Sequence, residues 1–336
     1  MTGDPIGLAV GYDPALTVRE MAQQQRTAEE AGFTTAFFSE TLFTNRDSVS
    51  ALTAFAYETS RMTLGTTQVV RLRSPLVMAQ TAASLDEISG GRVALSLGAF
   101  TQKHALRNGR PLTDPVATLR EYVAVIRRLL AGETVTFHGE AVVMEDAALN
   151  FTPLRADIPI WIAAASRRGL LNAGAIGDGV LLDAGASPEY AANAVALLRQ
   201  GAEEAGRDPE GLMVAQLLNT SIDHDEEEAL EAVRWEVASK FTFRSTPRAK
   251  LSVGEPVIDR ADLPRFEEAL ARGGKAGLAR IIPDSYVRGL TLPGTPDQVR
   301  RRVQEYRDAG VTLPLVRPAR AEQLPLLIET FSTART

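Results

Sequence analysis

Eight short runs of branched apolar residues alternate along this chain with stretches of helical period. The strand candidates are 6–10, 35–39, 62–70, 92–97, 159–163, 179–182, 212–222 and 313–316. Helical patterns fill 17–31, 48–60, 76–88, 113–130, 169–175, 188–205 and 296–309. Strands that are apolar at almost every position belong to a parallel sheet covered on both faces. Eight units in 336 residues fit an α/β fold closed as a (β/α)8 TIM barrel better than an open doubly wound sheet. The reading takes residues 1–336 as one domain.

Two segments break the alternation. Residues 133–150 hold two short β-patterned runs around His138–Gly139, which predicts a hairpin inserted after the fourth helix. Residues 242–288 carry Pro247, Pro256, Pro264, Gly273, Gly274, Gly277 and Pro283, and predict one helix around 263–272. An insertion before the last strand is either a lid or substrate wall, or a plain surface excursion. The acidic run 223–228 reads as the solvated first turn of a helix, where carboxylates suit the dipole.

Composition removes several function classes. With no cysteine there is no disulfide scaffold, zinc-thiolate site, iron–sulfur cluster or catalytic thiol. His104, His138 and His224 are scattered, so no metal site is expected. A net charge of −6 argues against a nucleic-acid partner. No run of 18 apolar residues predicts a membrane span, and Asp4 with no basic residue near the start argues against a signal peptide. The expectation is a cytoplasmic protein that handles a small molecule.

On a barrel the chemistry sits at the C-terminal strand ends. The first strand leads to Gly11 and Tyr12, the second to Ser39, Glu40 and Thr41, the third to Thr66–Gln68, the fourth to Gly98–Thr101. The fifth passes through Ala163, Ala164 and Ala165 into a helix opened by Ser166, Arg167 and Arg168. Free amides at such a start bind phosphate, although Ser166 alone is also an ordinary N-cap. Gly177 and Gly179 would let a second backbone approach closely. Glu40 is either an acid, base or orienting group, or the partner of Arg46 or Arg73. Tyr12 and Phe100 are walls for a flat ring or simple packing, and His104 lies in a loop. No P-loop, Gly-x-Ser-x-Gly or dinucleotide fingerprint occurs.

The run TNRDSVSALTAFAYETSRMTLGTTQVVRLRSPLVMAQTAASLDEISGGRVALSLG resembles the bacterial luciferase-like superfamily, with LDEISGGR its most specific part. Within it the chain is most similar to the methylenetetrahydromethanopterin reductase branch. The resemblance continues through VATLREYVAVIRRLLAGETVTFHGE and LNFTPLRADIPIWIAAASRRGLLNAGAIGDGVLL, fades after Thr220 and returns at GTPDQVRRRVQEYRDAGV. It implies a (β/α)8 barrel with an insertion before the last strand, commonly as a homo-oligomer. It also implies coenzyme F420 at the mouth, with FMN as the alternative cofactor. The ring would rest against Ser39, Thr67 and Gln68, with a cis peptide joining the last two. The phosphate would meet Ala165, Ser166, Arg167, Gly177 and Gly179. Tyr12, Thr41 and Phe100 would line the substrate pocket.

The sequence departs from the family at Ala9, where the reductases are acidic. It departs again at Glu40–Thr41, where Asp-His or Glu-His is common, and at Ala99–Phe100–Thr101, which replaces a turn bearing glycine and acid. A substrate other than methanopterin is expected. The implied activity is hydride transfer between the deazaflavin and an organic small molecule, with Glu40 handling a proton. The alternatives are an FMN-dependent monooxygenase fed by a partner reductase, and a non-catalytic cofactor binder.

Overall fold

The structure, a computed structural model, describes residues 4–39, 46–70, 72–99, 106, 114–243 and 245–333, with only the backbone of Ser39, Gln68 and Val69. Eight strands close a ring: β1 (Gly7–Val10), β2 (Thr35–Ser39), β3 (Thr63–Val69), β4 (Val93–Gly98), β7 (Ile160–Ala164), β8 (Gly179–Leu182), β9 (Met213–Ile222) and β11 (Leu313–Pro318). All neighbours are parallel, and β11 returns to β1 through Gly7↔Leu315 and Leu8↔Val316. The eightfold alternation of the sequence is thus a closed barrel. A short β10 (Leu292–Gly294) extends the ladder at the end of β9. The antiparallel hairpin β5 (Val135–His138) and β6 (Val143–Ala147) stands where the sequence placed it.

The helices in the interstrand segments are α1 (Val18–Glu30), α2 (Ser48–Glu58), α3 (Pro75–Ser89), α4 (Pro115–Leu130), α5 (Arg167–Ile176), α6 (Pro188–Glu204), α7 (Glu226–Phe241) and α11 (Pro296–Asp308). α12 (Leu324–Phe331) follows the last strand. Four of them open on a cap followed by proline: Ser74–Pro75, Asp114–Pro115, Ser187–Pro188 and Thr295–Pro296. The cap satisfies amides that the first turn leaves free, and proline has no amide to waste there. No helix among the described residues is long and apolar enough to cross a membrane.

Strand side chains alternate between two cores. Leu8, Phe38, Leu64, Leu95, Ile162, Val180, Leu218 and Val316 face the helices. Ala9, Phe37, Ala94, Trp161, Leu181, Ala215, Leu217 and Leu315 fill the barrel.

The LDEISGGR run does structural work at the closed end. α3 stops at Gly90, whose φ of 70° is left-handed and suits glycine. Arg92 then donates to the carbonyl oxygens of Ser89, Met62, Ala56 and Thr59 and to the Thr59 hydroxyl, at 2.7–3.0 Å. It ties the end of α2 to the starts of β3 and β4. Asp86, fully buried, accepts the Val93 amide and pairs with Arg155 through two nitrogens.

The insertion differs from expectation. It holds three helices, α8 (Ser245–Leu251), α9 (Leu263–Ala279) and α10 (Asp284–Leu290), where one was predicted. α9 runs past Gly273 and kinks at Gly274 (φ 60°). Pro264 stands in the first turn of α9, within the predicted helix, and Pro283 caps the start of α10, positions where proline is tolerated. Phe266 packs edge-to-face on Phe241 and Tyr286, which are tilted against each other, with centroids 5.2–6.0 Å apart, and the three give the segment a core of its own with α7. It is therefore no plain surface excursion.

Arg92→Met removes five hydrogen bonds and strands several buried carbonyls. A loss of about 2–4 kcal/mol in unfolding free energy is expected in urea titrations. A change below about 0.5 kcal/mol, within ordinary surface-mutation scatter, would show that the motif does not brace the barrel.

Candidate functional site at the C-terminal barrel mouth

The inward parity that fills the barrel continues to its C-terminal rim. Thr67 follows inward Gly65, Gly98 follows Ala94, and Ala163 follows Trp161; Asp183, Asn219 and Arg317 follow Leu181, Leu217 and Leu315. The rim therefore has two halves. On one side Thr67, Gly98 and Ala163 are small and adjacent: a Cβ on Gly98 would lie 3.3 Å from Thr67 Cγ2 and 3.5 Å from Ala163 Cβ. Asp183, Asn219 and Arg317 make the other side polar. Thr67 Oγ1, Ser96 Oγ and Asn219 Nδ2 are buried with no hydrogen-bond partner among the described residues. Unpaired buried donors of this kind are costly unless something is meant to meet them.

Arg317 is the anchor of the polar half. It is 7% exposed and donates through Nε to Asn219 Oδ1 at 2.9 Å. It pairs with Glu236 of α7 at 2.5 Å, and its guanidinium lies 4.1 Å from the Tyr12 ring centroid. Burial would raise the Glu236 carboxyl, but Arg317 outweighs it and holds the group below the usual carboxylate range. A cavity of about 230 Å³ opens at the β11–β1 rim beside these residues, lined by Gly11, Tyr12, Glu236, Arg317 and Arg320. Tyr12 thus stands at the mouth as expected, with one face covered by Arg317.

After β8, Asp183 pairs with Lys240 at 2.8 Å and approaches Lys250 at 3.8 Å. Burial opposes its ionisation, yet the two lysines hold the carboxyl below its ordinary value. Lys250 comes from α8 in the insertion, is 1% exposed, and donates to the carbonyls of Ala184 at 2.7 Å and Gly185 at 2.5 Å. Burial pushes its ammonium down to about 8 against the pull of Asp183. The nearby Glu255 carboxylate accepts the Ser187 amide at 2.8 Å. The insertion is in this way fastened to the loop that ends β8.

The start of α5 borders the same rim. Ser166 caps it by accepting the Gly169 amide at 3.2 Å, and the Arg167 amide meets Ser252 Oγ at 3.5 Å. Tyr190 holds the preceding turn by donating to the Ala165 carbonyl at 2.9 Å. Ala165, Ser166 and Arg167 thus form the turn into α5 at the rim. Gly177 and Gly179 do not join them. They follow the C-terminus of α5, about 15 Å from its start at 1.5 Å per residue, at the opposite end of the barrel. A Cβ on Gly179 would sit 2.3 Å from the Met213 carbonyl oxygen, so that glycine serves the contact with β9. The residues of β8 that do reach the mouth are those after Leu182.

The remaining sites divide simply. Glu40, Thr41 and Phe100, with His104, lie outside the described residues. Arg73 pairs with Asp47 at 3.1 Å, and Arg46 donates to the Pro14 carbonyl. Ser39 and Gln68 contribute backbone at the ends of β2 and β3. No peptide bond among the described residues is cis, so the cis link implied at Thr67–Gln68 is not found; β3 runs on in register with β4 through Gln68↔Leu97 and Val69↔Gly98.

The luciferase-like monooxygenase family model matches residues 4–313. The chain belongs to this family. Among its relatives, the 5,10-methylenetetrahydromethanopterin reductase of Methanolobus tindarius is 33% identical over 305 residues, covering 90% of this chain and 91% of that one. The F420-dependent glucose-6-phosphate dehydrogenase of Beutenbergia cavernae is 29% identical, covering 95% and 94%. The structure of the F420-dependent tetrahydromethanopterin reductase of Methanopyrus kandleri superposes with a TM-score of 0.84 at 27% identity, covering 97% and 96%. The luciferase-like fold is thereby shared along essentially the whole chain.

Sequence reasoning missed Arg317, Asn219, Asp183 and Lys250. The first was findable: LPLVRP puts a charge at the end of an apolar barrel strand. Lys250 had no local signal, because only the folded insertion brings it to β8. Its burial makes a pH prediction. Folded Lys250 loses its proton near pH 8, whereas the unfolded chain does so only near 10.5. Between these values the unfolded state binds more protons, so stability rises with pH there, and the full burial penalty is present below pH 8. Thermal melts at pH 7–10 should show the wild type gaining on Lys250→Met; a pH-independent gap would mean the ammonium keeps its ordinary affinity.

Proposed function

We propose that this luciferase-like chain is an F420-dependent oxidoreductase that transfers a hydride between the deazaflavin and an organic small molecule. The observation that carries the reading is a small-walled floor with unpaired inward donors, Thr67 and Asn219, beside an open helix start at Ser166–Arg167. These residues fit a flat ring that ends in a phosphate. The F420-dependent relatives support the choice of cofactor. When bound, the deazaflavin supplies the hydride chemistry. The chain supplies orientation and charge: Ala163, Gly98 and Thr67 would seat the ring, and the amides of Ser166 and Arg167 would hold the phosphate.

Proton handling falls to Glu40. Asp183 and Glu236 are held ionised by their lysine and arginine partners, so neither is a proton donor near neutral pH. Arg317, fixed by Glu236 and Asn219, presents its guanidinium to the pocket beside Tyr12, and we assign Thr41 and Phe100, which lie outside the described residues, to the substrate as well. We read residues 1–336 as one working unit, a cytoplasmic homo-oligomer with a small-molecule substrate and no nucleic-acid or membrane partner.

Titration with F420 and with FMN tests the reading. Micromolar F420 binding with weak FMN binding is expected. The reverse would make this an FMN-dependent monooxygenase needing a partner reductase. Ser166→Asp keeps an N-cap but places a charge against the phosphate. It should weaken F420 binding by about tenfold or more, roughly one charge–dipole interaction, with little change in melting temperature. Unchanged affinity would remove the start of α5 from the site.

A further inference from the structure

Outside the mouth, a groove of about 770 Å³ runs down the outer wall of the barrel along α5, between α4 and α6. Its origin is a packing asymmetry. α5 lies tight against α6, where a Cβ on Gly174 would strike the Leu198 carbonyl at 1.9 Å and one on Gly201 the Leu171 carbonyl at 2.0 Å. α4 touches α5 more sparsely, and the gap is the groove.

Its polar lining is specific. Asn172, 2% exposed, faces the groove; its Oδ1 accepts from Arg120 Nε at 2.6 Å, while its Nδ2 has no acceptor among the described residues. Arg120 has no carboxylate partner among the described residues. At the mouth end stands Arg168, two residues past the Ser166 cap, two-thirds exposed and paired on one side with Asp114 at 2.8 Å. At the far end Glu204 closes the cationic stretch. A buried amide donor and two guanidinium groups in a line call for a chain of carboxylates.

We infer that this groove binds the tail of the coenzyme. F420 continues beyond its phosphate into a lactyl–oligoglutamate chain, whereas FMN ends at the phosphate. The inference rests on the cofactor reading above and deepens it. A phosphate at Ser166–Arg167 places the tail beside Arg168, and the groove leads its carboxylates past Arg168 to Arg120 and the Asn172 amide. Glu204 sets the limit by repelling a longer chain. Arg120 and Arg168 are thus affinity determinants for the tail, outside the ring and substrate pockets.

The test is deazaflavin fluorescence titration of the full chain with F420 carrying glutamates and with F420-0, which lacks them. Wild type should bind the tailed form about tenfold more tightly, the scale of one or two charge-assisted hydrogen bonds, and salt should reduce the difference. Arg120→Gln with Arg168→Gln should erase the advantage and leave F420-0 affinity unchanged, with circular dichroism melts confirming the fold. Equal affinity for both forms in the wild type, or an advantage that survives in the double variant, overturns the inference while leaving the cofactor reading intact. Failure to bind either form overturns both.

Discussion

The closed ring of parallel strand pairing is the constraint on which the rest depends. Once β11 pairs with β1 and β9 pairs with both β8 and β11, no strand edge is left in the barrel. Every strand must then point the same way, and every C-terminus must reach the same rim. The pleat does the sorting: one parity packs under the helices, the other fills the barrel. Where the inner parity runs out of apolar residues, at Thr67, Asn219 and Arg317, the core ends and the pocket begins.

The two ends of the barrel divide the labour. The closed end carries the run that most marks the family, and its work is mechanical. Arg92 and Asp86 satisfy the backbone of turns that would otherwise be left unpaired. Glu29 does the same nearby, where its carboxylate accepts the amides of Ser60, Arg61 and Met62. The open end holds charges that fix one another: Arg317 with Glu236, and Lys240 and Lys250 with Asp183. Three of these five come from α7 and α8, so the segment before the last strand builds one wall of the mouth.

The legibility of the sequence followed this division. Period and capping were readable wherever a residue answers to its neighbours in the chain. Thr17 and Glu20 form the capping box that opens α1, and Asp225 followed by three glutamates opens α7. Glycine and proline misled where their context was tertiary. Gly179 reads in the sequence as a phosphate contact, but its missing Cβ makes room for β9. Pro283 reads as a break in an irregular stretch, but it opens α10. The helix start at Ser166–Arg167 was legible because an N-terminus is a local structure.

By itself the sequence determined the eightfold alternation, the direction of every strand, the hairpin, and the end of the barrel at which chemistry gathers. These follow from periodicity and from the rule that a parallel strand returns through a helix. Only the tertiary structure decided which strand-end residues share a rim and which cations meet which anions. It alone decided that Lys250 lies under Asp183 and that a gap opens between α4 and α5. Those outcomes depend on contacts between residues far apart in the chain, such as the 98 positions from Asn219 to Arg317. No local pattern encodes a distance of that kind.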